Sequence, residues 1–243
     1  MKKLLAYLLG FLGVVAIGLG LYKQLFGSRY EHYVSVKGIA ETRVKADLAI
    51  WEIGYKLTGN DLTALTKTSL AQQKSIVDFL TAHDFTADEI EPRPIEVIDL
   101  LAREYNSNPP TNRYIVTSGV MLRSTKVEAV RAISQKRAFL VEQGIVLTQR
   151  YEGEANPSYL YTQLDTIRPQ LLEQATKSAR LVAAQFAAHS GSRLGKIRRA
   201  RQGVFQIMSC DSNAGNDYGG EQKQLREIDK MVRVVVSLDY LLD

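Results

Sequence analysis

A single cysteine, Cys210, stands among 243 residues, so neither an intrachain disulfide nor a cysteine-based structural zinc site is available to this chain. Proline is scarce at 6 residues, and charged residues make up 23% beside 45% apolar ones. No low-complexity tract interrupts the sequence. That balance excludes a disordered tail and provides enough apolar side chains for a packed core. A large excess of charge is missing as well. The formal net charge is +5, but Lys2, Lys3 and Lys23 flank an apolar segment, and without them 28 basic residues face 26 acidic ones. So balanced a domain has no global electrostatic footprint for polyphosphates, and no nucleic-acid partner is expected.

What is present begins with an uncharged run of nineteen residues, Leu4 to Tyr22. At about 1.5 Å per residue it approaches the roughly 30 Å of a bilayer core. Lys2, Lys3 and the α-amino group precede it, a bias that places the N-terminus in the cytoplasm. The competing reading is a cleaved signal peptide, for which Gly18-Leu19-Gly20 is a poor small-x-small site. The expectation is a single-pass anchor and linker over residues 1–29 in the inner (cytoplasmic) membrane, with residues 30–243 in the periplasm.

Beyond the anchor the hydrophobic period alternates between two values. Ala49, Trp51, Ile53, Tyr55 and Leu57 alternate with polar residues as in a half-buried strand, and Val34, Val36 and Ala40 mark a shorter strand before it. Asn60-Asp61 caps a helix to about His83 carrying Leu62, Leu65, Ile76, Phe79 and Leu80. Two extended runs follow, Ile90 to Tyr105 and Tyr114 to Arg123, separated by a stretch rich in turn formers. Thr125 to Glu128 reads as a capping box before a helix with Val127, Val130, Ile133 and Val141 that Gly144 ends. A strand is expected near Ile145 to Tyr151.

The same order then recurs. Asp165 to His189 is an amphipathic helix with Leu171, Leu172, Ala175, Ala179, Val182 and Phe186 on one stripe, followed by extended runs over Lys196 to Met208 and Lys230 to Leu242. The reading is an α+β fold of antiparallel sheets with packed helices, built from two similar strand-helix-hairpin halves at about 30–125 and 126–243.

Candidate chemical groups are few. His32, His83 and His189 lack the short spacings of metal ligation, and two of them lie at expected helix ends. Asp211, Asn213, Asn216, Asp217 and Glu221 resemble a calcium loop, but Asn216 takes its glycine position and Gln222 its bidentate position. Gly191 to Lys196 looks like a phosphate loop but runs from helix into strand, the reverse of a P-loop. Cys210 starts a polar loop beside Asp211, whose carboxylate works against thiolate formation. Lys196, Arg198, Arg199 and Arg201 form the densest basic cluster, which reads as a charge-guarded edge strand, with an anionic lipid or acidic partner as the alternative. No catalytic, cofactor-binding or metal site is expected, and no enzyme.

Three blocks carry a resemblance: Val34-Ser-Val36-Lys-Gly38-Ile-Ala40-Glu41 with Val44, Asp47 and Ala49, then Leu194-Gly195-Lys196-Ile197, and last Val232 to Tyr240. They are similar to the SIMPL domain family (domain of unknown function 541), with Ala46 where members usually carry proline. The resemblance implies an α+β fold, an envelope location in bacteria, an association with oxidative stress, and large homo-oligomers. It implies no catalytic residue. The function expected on these grounds is that of a membrane-anchored, non-enzymatic protein that self-assembles in the cell envelope. The alternative is a module that binds a small molecule or envelope component in a cleft between the two halves. Small residues spaced by four in the anchor, Ala6 with Gly10 and Ala16 with Gly20, would permit close helix approach in such an assembly.

Overall fold

The computed structural model describes residues 32–102, 111–148, 156–210 and 224–243, so the expected anchor at Leu4 to Tyr22 lies outside the described residues. Among the described residues no helix is long and apolar enough to cross a membrane. Among the described residues nine strands and four α-helices make a mixed α+β fold of two antiparallel sheets, each covered by helix on one face. Sheet I holds β1 (Tyr33–Lys45), β9 (Asp229–Leu242), β7 (Leu194–Gln202) and β8 (Gln206–Ser209), with β9 between β1 and the β7–β8 pair. Sheet II holds β6 (Ser158–Leu160), β2 (Leu48–Gly59), β5 (Tyr114–Ser124), β3 (Ile90–Pro92) and β4 (Glu96–Asp99), with the last two both on β5.

Sheet II follows the expected alternation closely. Ala49, Trp51, Ile53 and Tyr55 of β2 are all buried, and their antiparallel partners on β5 include Leu122 and Val120. Helix α1 (Leu62–Thr81) closes this face with Ile76, Phe79 and Leu80, while Leu62 is left exposed. Asp61 caps it, accepting a 3.0 Å bond from the Ala64 N–H. The buried Tyr55 hydroxyl donates to the Ser69 carbonyl at 2.6 Å, tying helix to strand. The long extended run after residue 90 is broken at Arg93-Pro94-Ile95, between β3 and β4. Proline cannot donate to a ladder, and the Gln73 amide of α1 fills the gap by donating to Arg93 O (2.8 Å) and Gly119 O (3.1 Å).

Three local expectations need correction. The box at Thr125 does not form: Lys126 takes the cap position of α2 (Val127–Ser134) without a side-chain bond, and Glu128 pairs with Arg131 instead. The capping box lies at Thr86, where Glu89 reaches back to the Thr86 N–H at 2.9 Å. The helix after it is also not continuous, since the chain turns at 135–137 before α3 (Ala138–Glu142). That turn brings Leu140 into the core and leaves Val141 outside, and Gly144, at φ 78°, ends the helix in the left-handed conformation that glycine adopts freely. Near Ile145 to Tyr151 the described part forms only one bridge, Leu147 with Tyr55.

Sheet I takes its first strand from the other end of the chain. β1 pairs along its whole length with β9, from Tyr33 with Leu241 to Lys45 with Asp229. A boundary near residue 125 therefore does not separate the sheets. Helix α4 (Leu164–His189) covers the even-numbered face of β1 and β9. Its buried stripe is Leu171, Ala175, Ala179, Ala183 and Ala187, whereas Phe186, expected inside, is 57% exposed. The cause is the spacing between layers. A Cβ on Gly38 would lie 1.9 Å from the Ala175 carbonyl oxygen and 2.8 Å from the Ala179 methyl, so only alanine on the helix and glycine on the strand fit.

Short bonds join the two layers at the β1–β2 corner. The Ala46 N–H donates to Ile228 O at 2.8 Å, a bond that proline there could not make. The Asp47 carboxylate accepts from the Thr162 N–H (2.9 Å), the Thr162 hydroxyl (3.0 Å) and the Gln163 N–H (3.1 Å) at the entry to α4. Ile228, on the approach to β9, is buried in the core of sheet II.

Two outcomes follow from this packing. Trp51→Ala should lower stability by about 3 to 5 kcal/mol, and Gly38→Ala by about 3 kcal/mol or more, since backbone must move to admit one methyl. Urea unfolding of both variants checks the pair, and a neutral Gly38→Ala contradicts the close approach. The second outcome concerns Glu89. Burial pushes its carboxyl up, but bonds from the Ser124 hydroxyl (2.5 Å), the Thr86 N–H and the Lys126 ammonium (3.2 Å) outweigh it and hold the pKa at about 2. Its stabilisation is complete above the ordinary value of 4.5 and is lost as pH falls towards about 2. Glu89→Gln should remove about 2 kcal/mol at neutral pH and flatten the acid limb of a stability-against-pH curve.

Candidate functional site

The corner that joins the two layers also opens a cleft of about 690 Å³. Arg43 enters it from the end of β1, Arg131 and Ser134 from α2, Asn156 and Tyr159 from the approach to β6 and from β6 itself. Cys210, Arg226 and Glu227 come from the two sides of the segment between β8 and β9. Three arginines thus line the cleft together with amide, hydroxyl and thiol side chains, with Glu227 and Asp229 as the acidic residues. Burial pushes the Tyr159 phenol up, with the Arg131 guanidinium and the Ser134 hydroxyl acting the other way.

Beneath the cleft lies Lys230, only 1% exposed. Its ammonium donates to the Gln224 carbonyl, and the Ser209 hydroxyl donates to the Glu227 carboxylate. Burial pushes the Lys230 ammonium down, while the nearby Glu227 carboxylate and Cys210 thiol favour its charged form. This buried lysine is the chemical feature that sequence reasoning missed. On an alternating strand its position in the inward-facing set with Val232 and Val234 was the available signal. The arrangement can bind a polar or anionic group.

The candidate residues taken from the sequence are not brought together. His83 follows α1 and bonds the Phe79 carbonyl at 2.8 Å, His189 ends α4, and His32 precedes β1. Among the described residues no group of three or more His, Cys, Asp or Glu side chains is placed to hold a metal ion. Residues 211–223, which carry the calcium-like pattern, lie outside the described residues. Gly191 sits at the end of α4 and Leu194 opens β7, so the phosphate-loop-like run does pass from helix to strand. Cys210 is half-buried and lines the cleft. Lys196, Arg198, Arg199 and Arg201 all lie exposed on β7, an edge strand whose register shifts twice against β9.

The family model described as SIMPL, a protein of unknown function (DUF541), matches residues 34–240. The chain belongs to the SIMPL family. The match runs from β1 to the end of β9 and so takes in both sheets and the corner that links them. No curated protein matches the chain.

In this SIMPL chain the two groups at the cleft differ in how much the fold depends on them. Cys210→Ser should leave stability within about 0.5 kcal/mol, because the thiol is half-buried on a turn. Lys230→Ala should lower it by about 2 to 3 kcal/mol, because it opens a hole where a buried side chain stood and strips the partner from the half-buried Gln224 carbonyl. Thermal unfolding of both variants in one buffer checks the difference, and equal losses contradict it.

Proposed function

We propose that this SIMPL protein is a membrane-anchored, non-enzymatic assembly protein of the cell envelope. Leu4 to Tyr22 is its single membrane span, and residues 30–243 stand in the periplasm. The observation that carries the reading is the outer edge of β1. Among the described residues this 13-residue strand pairs with β9 on one side and with no strand on the other. The Leu242 N–H donates to His32 O at 2.8 Å, so by the observed register the even residues of β1 exchange ladder bonds with β9. The odd residues, Tyr33 to Arg43, direct their N–H and C=O groups to the open edge. A long unpaired edge is a template for a second strand, and pairing with another copy of the chain satisfies it. The resemblance to a family of large homo-oligomers points the same way.

The test uses the full chain in detergent. Sedimentation should show a closed homo-oligomer that Ile39→Pro dissociates and Ile39→Ala retains, because proline at an odd position removes an edge N–H without breaking a bond to β9. A stable monomer at tens of micromolar contradicts the assembly. Release of the chain from membranes by alkaline carbonate, or a mature N-terminus near Leu21, contradicts the anchor.

The cleft with Arg43, Arg131 and Arg226 favours a second reading, capture of a small anionic molecule at the corner between the layers. Calorimetric titration with phosphate- and carboxylate-bearing compounds separates the two, since assembly alone predicts no heat that disappears in Arg43→Gln.

A further inference from the structure

The face of sheet I opposite α4 has a charge distribution that neither the cleft nor the β1 edge explains. Odd residues of β1 and β9 point away from the helix, because their even neighbours Val36, Ala40, Val232, Val234 and Val236 are buried beneath it. In antiparallel register, directly opposed residues share a face. Arg199 lies opposite Asp239 and Arg201 opposite Ser237, whose β1 partners are Ser35 and Lys37. The Arg198 guanidinium sits 4.7 Å from the centre of the Tyr33 ring on the same side. The Tyr33 end of this face therefore gathers Lys37, Arg198, Arg199 and Arg201 around Asp239, with the Asp243 carboxylate beside Gly195 at the strand end, four cations against two acids. The far end is different, since Glu41 is matched there by Arg233 at 3.4 Å.

Among the described residues, no side-chain hydrogen bond or ion pair engages Lys37, Arg199 or Arg201. Among the described residues the only helix in substantial contact with sheet I is α4, on the other side. Tyr33 and Ile39, 50% and 45% exposed, stand among the cations. A flat surface that mixes arginine with exposed tyrosine and aliphatic side chains has the composition of a membrane-surface contact. The chain itself supplies the geometry. Ten residues separate Tyr22 from Tyr33, a reach of at most about 35 Å, and β1 enters the sheet at the end where the cations gather.

We propose that the Tyr33 end of this open face docks on a bilayer rich in anionic phospholipid, with Lys37, Arg198, Arg199 and Arg201 as headgroup contacts and Tyr33 at the interface. Docking would hold sheet I flat against the membrane and leave the β1 edge directed along the bilayer plane, available to a neighbour. The inference rests on the anchor reading for its reach and is independent of assembly.

The full chain placed in lipid nanodiscs tests it, with a fluorophore on Ser35→Cys in a Cys210→Ser background and a nitroxide on the lipid headgroups. Discs containing phosphatidylglycerol should quench the probe and pure phosphatidylcholine discs should not. Quenching should fade as salt rises from roughly 0.05 to 0.5 M. Replacing Arg198, Arg199 and Arg201 by Gln should lower the docked-to-undocked ratio roughly a hundredfold, and Lys at all three should preserve it. Equal quenching in both lipids, or quenching that survives the Gln variant, overturns the proposal. A single-stranded oligonucleotide that binds this face and releases it from anionic discs overturns it in favour of nucleic acid. Retention of the chain in the disc is scored separately. An undocked face on a retained chain defeats docking alone, and loss of the chain from the disc defeats the anchor on which its reach depends.

Discussion

The rest of this structure depends on the approach of α4 to β1 at Gly38. With the Ala175 carbonyl where a side chain would begin, strand and helix meet backbone to backbone, and the layer has no room for larger residues. The alanine stripe from Ala175 to Ala187 follows from that spacing, while Leu181 and Phe186 lie exposed off that stripe. The contact also recruits the first strand of the domain into a sheet otherwise built from its last third. β9 lies between β1 and β7, so a strand next to the expected anchor and a strand at the far end of the chain complete one ladder. Such pairing closes a very long loop, and its entropic cost is offset by a continuous apolar face from Val34 to Tyr240.

How much of this was legible in the sequence depended on whether the deciding contact was local. Period-two alternation located β2 and β9 and the buried face of each, because one side of a sheet is either covered or wet. Asp61 was readable as a cap because its partner is three residues away. The capping box was misplaced because Thr125 and Thr86 offer the same pattern, and what decides between them is Glu89, held by Ser124 and Lys126 from the far side of sheet II. The expected stripe on α4 holds for Leu171, Ala175 and Ala179 and departs only towards its C-terminal end, for a similar reason. Hydrophobicity favours Val182 and Phe186 over Ala183 and Ala187, and only the proximity of β1 reverses that order. The match of β1 with β9 left no signal in either strand alone. Of the candidate site, Cys210 was visible as a residue, but the three arginines around it come from three separate stretches that meet only through the β1–β2 corner.

On the proposed reading the functional surfaces are edges and faces of the sheets. The corner bonded by Ala46 and Asp47 fixes the angle between the layers and so defines both the cleft and the direction of the β1 edge. A covered face, an open edge and a cationic face on one four-stranded sheet give it three different environments. The assembly protein proposed here would use all three: one for its core, one for its neighbours and one for the membrane.

The central claim is that β1 and β9 form one cooperative unit through α4, although they lie at opposite ends of the domain. Native-state hydrogen exchange on the full chain measures this directly. The even-numbered amides of β1 around Gly38 should exchange with the same opening free energy as Val234 and Val236 of β9 and Ala179 of α4. Amides of β1 that open well before those of β9, at low denaturant and without disturbing α4, would contradict the account.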